Sequence, residues 1–188
     1  MHDSSGLGLI NQSPTMTRRV LALCALCLPL SSTASGQGTV AQQAPAAAAG
    51  VLTIGGAVTH PLSVTADELK GMPRTKVEIK EEGRTVAYEG VLVGELLKRA
   101  GAPLGSELRG NAVASYVVAS ARDGYQAVFS LAELDPGFTT NDIIIADTID
   151  GKPLFAYQGP FRLVAPKDSR GARSVRMLDR IEVVRLRK

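Results

Sequence analysis

Five cations, Arg162, Lys167, Arg170, Arg173 and Arg176, fall within one short stretch rich in Gly, Pro and Ser. Guanidinium groups grip phosphate or sulfate through paired N–H donors, and backbone N–H groups near Gly171 would add to that grip. From Arg162 to the end of the chain there are nine Lys/Arg against three Asp/Glu. Such an excess suits a phosphate, a sulfated group or an anionic surface. The same arginines would equally make a solvated face by pairing with Asp168, Asp179 and Glu182. Spacing alone leaves both readings open.

Asp123-Gly124-Tyr125 is the second candidate, a turn from which Tyr125 would offer a phenol to a pocket. The plainer reading is a hairpin turn with a half-buried tyrosine. Other chemistries are excluded by composition. Both cysteines, Cys24 and Cys27, lie in an N-terminal apolar segment, so residues 35–188 hold no thiolate ligand, nucleophile or disulfide. His60, before Pro61, is the only histidine after residue 34 and reads as a surface loop residue. No catalytic residue and no metal ligand set emerges. There is no tryptophan and aromatics make up 4%, so the stacking platforms of nucleic-acid binding are lacking.

The N-terminal segment reads as an export signal. Met16 is the expected start, Arg18-Arg19 supplies the positive region, and Val20 to Leu30 is apolar. Ser31-Ser32-Thr33-Ala34 follows, placing cleavage after Ala34. The apolar run is shorter than the roughly 20 residues a membrane-spanning helix needs. Thr17 to Leu21 loosely resembles a twin-arginine signal, although paired arginines are ordinary charges there. Leu23 and Leu26 precede the cysteines where a lipoprotein signal needs a small residue. The expected organisation is a signal over 1–34, a disordered Ala/Gln/Pro linker over 35–50 and a globular domain over 51–188. A periplasmic or secreted location follows, with no transmembrane segment in the mature chain.

The elements that must position these residues are mostly strands. Val51 to Ile54, Lys76 to Glu82, Arg84 to Tyr88 and Arg180 to Leu186 alternate apolar and polar residues. Ala112 to Ala121, Tyr125 to Phe129, Ile143 to Ala146 and Arg162 to Ala165 add further strands, with turns expected at Gly83, Asp123-Gly124 and Asp150-Gly151. Thr65 to Glu68 and Ser130 to Glu133 fit the capping box that opens a helix. Leu92, Leu96, Leu97 and Ala100 share a helical face that Gly101 ends. The expected class is α+β, a mixed or antiparallel sheet with two or three short helices. Leu96, Val117, Phe129, Ile144, Leu163 and Val183 are the expected core. No Gly-rich nucleotide loop is present.

The order of these pieces carries a resemblance. Gly90-Val91-Leu92 leads into Glu95-Leu96-Leu97 and Ala100-Gly101; Asp123-Gly124-Tyr125 and Ser130-Leu131 follow. Gly151-Lys152-Pro153-Leu154 precedes Gly159-Pro160-Phe161-Arg162-Leu163-Val164-Ala165-Pro166, and Ala172-Arg173-Ser174-Val175-Arg176 and Ile181-Glu182-Val183 finish the series. Across Val51–Lys188 this resembles the molybdopterin-binding domain of sulfite-oxidase-type oxidoreductases, in a small exported form. The resemblance implies a loop-lined cofactor pocket, with the stretch matching Gly171 to Arg176 beside the pterin phosphate. It therefore nominates Arg162, Arg173, Ser174, Arg176 and Tyr125 as contacts of an anionic ligand.

The resemblance also implies a cysteine holding molybdenum after an early strand, before Tyr88-Glu89-Gly90-Val91. The corresponding stretch, Lys80 to Tyr88, offers none. A carboxylate is a poor electronic substitute for that soft thiolate. The expected function is thus a non-redox relative binding an oxyanion, a phosphate-bearing ligand or an envelope protein partner. No cofactor is expected, with molybdopterin standing by resemblance alone. The alternatives are a molybdenum oxidoreductase lacking cysteine ligation, and a β-grasp ligand-binding module spanning Val51 to Gly101.

Overall fold

A computed structural model describes residues 50–186. The expectations for the signal, and for the linker up to residue 49, lie outside the described residues. In chain order the strands and α-helices are β1 (Val51–Gly56), β2 (Leu62–Thr65), α1 (Ala66–Lys70), β3 (Thr75–Glu81), β4 (Arg84–Leu92) and α2 (Val93–Arg99). β5 (Ser115–Ala121), β6 (Gln126–Ser130), β7 (Ile144–Ile149), β8 (Lys152–Pro153), β9 (Arg162–Val164) and β10 (Leu178–Arg185) follow. Among the described residues no helix is long and apolar enough to cross a membrane.

Two five-stranded sheets form, one ordered β2-β1-β10-β5-β6 and the other β3-β4-β7-β8 with β9 also paired to β7. The first is mixed, because β1 and β10 run parallel, Ile54 opposite Ile181, while its other pairs are antiparallel. The second is antiparallel throughout. The fold is therefore α+β with short helices, as the strand-rich pattern implies. A β-grasp module over Val51 to Gly101 is not formed: β1–β2 and β3–β4 belong to different sheets, and β1 pairs with β10.

Local chemistry accounts for the turns. Glu82 and Gly83 take φ of 50° and 78°, and Asp150 and Gly151 take 47° and 75°. Paired positive φ values match the twist of flanking strands in two-residue hairpins. Both capping boxes form, at Thr65 and Glu68 and at Ser130 and Glu133. The second opens a 3-10 turn, Leu131–Leu134, rather than an α-helix. Helix α2 ends in a Schellman motif, with Gly101 N–H donating to the Lys98 carbonyl and Ala102 N–H to that of Leu97. The strand expected from Ala112 begins at Ser115, because a 3-10 turn over Gly110–Ala114 precedes it.

The larger apolar core contains Leu96, Val117, Phe129, Leu163 and Val183. A smaller one, built from Val77, Val86, Tyr88, Ile144, Ala146, Ile149 and Val164, packs on the other face of the second sheet. β7 faces both, Ile145 entering the first core and Ile144 the second. That two-sided burial is why Ile143 to Ala146 is an unbroken apolar run rather than an alternating one.

Candidate functional site

The hairpin of β3 and β4 places Glu81, the last residue of β3, beside the phenol of Tyr88. Tyr88 is fully buried, so its hydroxyl requires a partner. The hydroxyl donates to Glu81 Oε2 at 2.9 Å. Arg162, from β9, donates one Nη to Glu81 Oε1 and the other to the Tyr88 oxygen. Its guanidinium carbon lies 4.7 Å from the centroid of the Tyr88 ring. Arg162 is 2% exposed. The arginine at the head of the nominated basic set is thus an interior residue, neutralised by Glu81.

These contacts shift the two acids in opposite directions. Burial opposes ionisation of Glu81, but the hydrogen bond and charge of Arg162 outweigh it and hold the carboxyl below its ordinary value. Burial pushes the Tyr88 phenol up to about 12; the Glu81 bond acts in the same sense and Arg162 against it. Two buried polar atoms of this cluster, Arg162 Nε and Gln158 Oε1, have no partner among the described residues.

Arg173 lies in the 3-10 turn Gly171–Arg173. Its Nε and Nη2 grip both oxygens of Asp168 at 2.8 and 2.7 Å, and its Nη1 reaches Glu133 at 3.0 Å. The guanidinium also covers the Phe129 ring at 4.7 Å. The Asp168 bond, with Glu133 adding to it, raises the arginine above its ordinary value. Glu133 serves twice, since its other carboxylate oxygen closes the Ser130 capping box. For Arg173 the geometry is that of internal pairing, with Asp168 as one partner.

The remaining nominated residues are close in the chain's packing but differ in availability. Tyr125 is half-exposed, and its hydroxyl donates to the Ala172 carbonyl, which joins the Asp123-Gly124 turn to the 171–173 turn. Ser174 is buried, with Oγ accepting from the Ala165 N–H at 3.2 Å. Arg176 is exposed and stacks over Tyr157 at 5.6 Å. It has no carboxylate partner among the described residues, and its charge is felt at Glu81. Tyr157 in turn stacks on Phe155, rings 5.7 Å apart and 7° from parallel, both more than half exposed. The structure therefore leaves Arg176, with Arg170, as the open cationic edge of this region.

Glu81 and Tyr88 were not singled out individually by sequence reasoning. The available signal was Tyr88 itself, a tyrosine on the inward face of an alternating strand, which must bring a polar partner inside. The residues present do not fit a thiolate-held molybdenum centre. Residues 50–186 contain no cysteine, and the carboxylate that ends β3 is saturated by Arg162 and Tyr88. Among the described residues no three His, Cys, Asp or Glu side chains converge in a metal-holding group.

No curated protein matches the chain. Among solved structures it is similar to the sulfane dehydrogenase SoxCD from Paracoccus pantotrophus, with a TM-score of 0.56 and 21% identity, over 71% of this chain and 38% of that one. The chain thus spans well under half the length of that protein, and the likeness concerns the fold. Residues 39–188 match the family described as the oxidoreductase molybdopterin binding domain, and the chain belongs to that family.

Proposed function

We propose that this is an exported, non-redox member of the molybdopterin-binding family whose loops at Gly159 to Arg176 bind an oxyanion or a phosphate-bearing ligand. The observation that supports it is the Glu81–Arg162–Tyr88 cluster at the end of β3, where the resemblance calls for a metal-bearing thiolate. With Arg162 and Arg173 engaged by carboxylates, the ligand contact falls to Arg176, assisted by Arg170 and by the Tyr157 ring. The Tyr157 ring holds the Arg176 guanidinium by a cation–π contact, leaving its N–H donors to grip a phosphate or sulfate. Binding the ligand for, or from, an envelope protein partner is the role that such a site would serve. Export through the signal of residues 1–34 places it in the periplasm or outside the cell.

Calorimetry with sulfate, phosphate and a pterin phosphate tests the site. Wild-type protein should bind at least one of them, and Arg176→Ala should abolish that binding. Arg176→Lys should weaken it, because a lysine lacks the bidentate fork. Binding indifferent to Arg176, or none by the wild type, would leave only a solvated basic face. Family membership favours one other reading, a molybdenum oxidoreductase without cysteine ligation. Sulfite- or sulfoxide-dependent electron transfer by protein from its native envelope would establish that one instead.

A further inference from the structure

A second concavity lies among residues distinct from the Glu81–Arg162 cluster and the basic loops. It is a cleft of about 740 Å³ between α2, the 101–107 segment and the 134–143 loop. Small-molecule sites typically occupy roughly 300–1,000 Å³ and are largely pre-formed. Its walls are braced. Asp135, 2% exposed, accepts from the Gly105 N–H on one segment and from the Gly137 N–H, at 2.7 Å, on the other. Gly94 of α2 approaches the Leu134 carbonyl so closely that an added Cβ would lie 2.4 Å from that oxygen. Lys167, which does not line the cleft, holds Thr140 through its carbonyl at 2.7 Å and its hydroxyl at 2.9 Å.

The lining specifies a kind of occupant. Leu92 and Leu104, both part-buried, supply apolar surface, and Thr139 and Asn141 supply polar groups. Glu107 and Asp142 are exposed lining carboxylates without a cationic partner among the described residues. Glu95, the third exposed or half-exposed carboxylate, is shared with Arg99 at 3.4 Å, and Lys98 is the one basic residue in the lining. On a chain of net charge +3 the cleft has the opposite sign to the basic C-terminal loops.

We infer that this cleft binds a small organic cation, an amine with a hydrocarbon body, its ammonium drawn to the lining carboxylates Glu107 and Asp142 and its apolar part against Leu92 and Leu104. This site is separate from the anion site proposed above and does not depend on it.

The test is a heteronuclear NMR titration of the full chain with 1,6-diaminohexane. Hexane-1,6-diol and adipate, of equal length, serve as uncharged and anionic controls. The diamine should saturate, with shifts concentrated at Gly105, Glu107, Leu134 and Asp142, and the controls should not. Glu107→Gln with Asp142→Asn should weaken binding by roughly tenfold or more, the loss of at least one charge-assisted contact. Lys98→Gln should tighten it, which keeps the test decisive if the double variant folds poorly. No saturation by the diamine, equal binding of the diol, shifts away from the cleft, or affinity unmoved by these substitutions would overturn the inference.

Discussion

Arg162 of β9 forms an ion pair with Glu81, the last residue of β3, at 2.5 Å, with only 3% of the arginine side chain exposed. The pair ties β3, at one edge of the second sheet, to β9 on the far side of β7 across the buried phenol of Tyr88. A buried charge without its partner is more costly than the pair is favourable. Glu81→Gln or Arg162→Met should therefore lower unfolding stability by about 3 kcal/mol in denaturant melts. An unchanged midpoint in both would mean that the pair is solvent-screened.

Stability should depend on pH at both extremes through this cluster. Glu81 titrates below its reference value of 4.5 in the folded state, so its contribution is full above that value and lost as the pH falls through the folded one. Tyr88 is raised from 10.0 to about 12, so its contribution is full below 10 and lost as the pH rises towards 12. Thermal melts across pH should show Glu81→Gln flattening the acid limb and Tyr88→Phe flattening the alkaline limb.

Arg173 and Arg176 should separate by what their loss does. Arg173→Ala removes two carboxylate contacts and the cover over Phe129, and should cost about 1–2 kcal/mol of stability. Arg176→Ala, at an exposed side chain, should stay within about 0.5 kcal/mol of wild type. Chemical denaturation of the two variants side by side checks this.

Much of this architecture could be read from the residues before the structure. The hairpin at Gly83, both capping boxes, the helix stop at Gly101 and all six expected core residues are set by local rules, namely positive φ at glycine, side-chain caps on backbone N–H groups, and apolar patterning of strands and of one helix. The division into two sheets was not legible, since the parallel pairing of β1 with β10 joins residues far apart in sequence. The site was legible as a list of cations but not as geometry. Arg162 and Arg173 look alike in a sequence; Glu81, far along the chain, engages the first, and Asp168 nearby with distant Glu133 engages the second, which leaves Arg176 open.

Gly90 is a test of the second sheet's packing. It sits at an irregularity in the β4–β7 register, where an added Cβ would fall 1.9 Å from the Ile145 carbonyl oxygen. Gly90→Ala must displace β7 backbone and should destabilise by about 3 kcal/mol. Near-wild-type stability would show that the sheet yields there.

Mass spectrometry of the protein from its native envelope should find a chain beginning near Ser35. A mature chain that retains Cys24 or Cys27 would contradict cleavage after Ala34, and with it the absence of a thiol from the working protein.

Elemental analysis of that same native material for molybdenum bears most directly on the non-redox reading. With β3 ending in a carboxylate already bound by Arg162 and Tyr88, molybdenum should stand at the level of the buffer blank. Molybdenum in stoichiometric amount, retained through gel filtration, would contradict it.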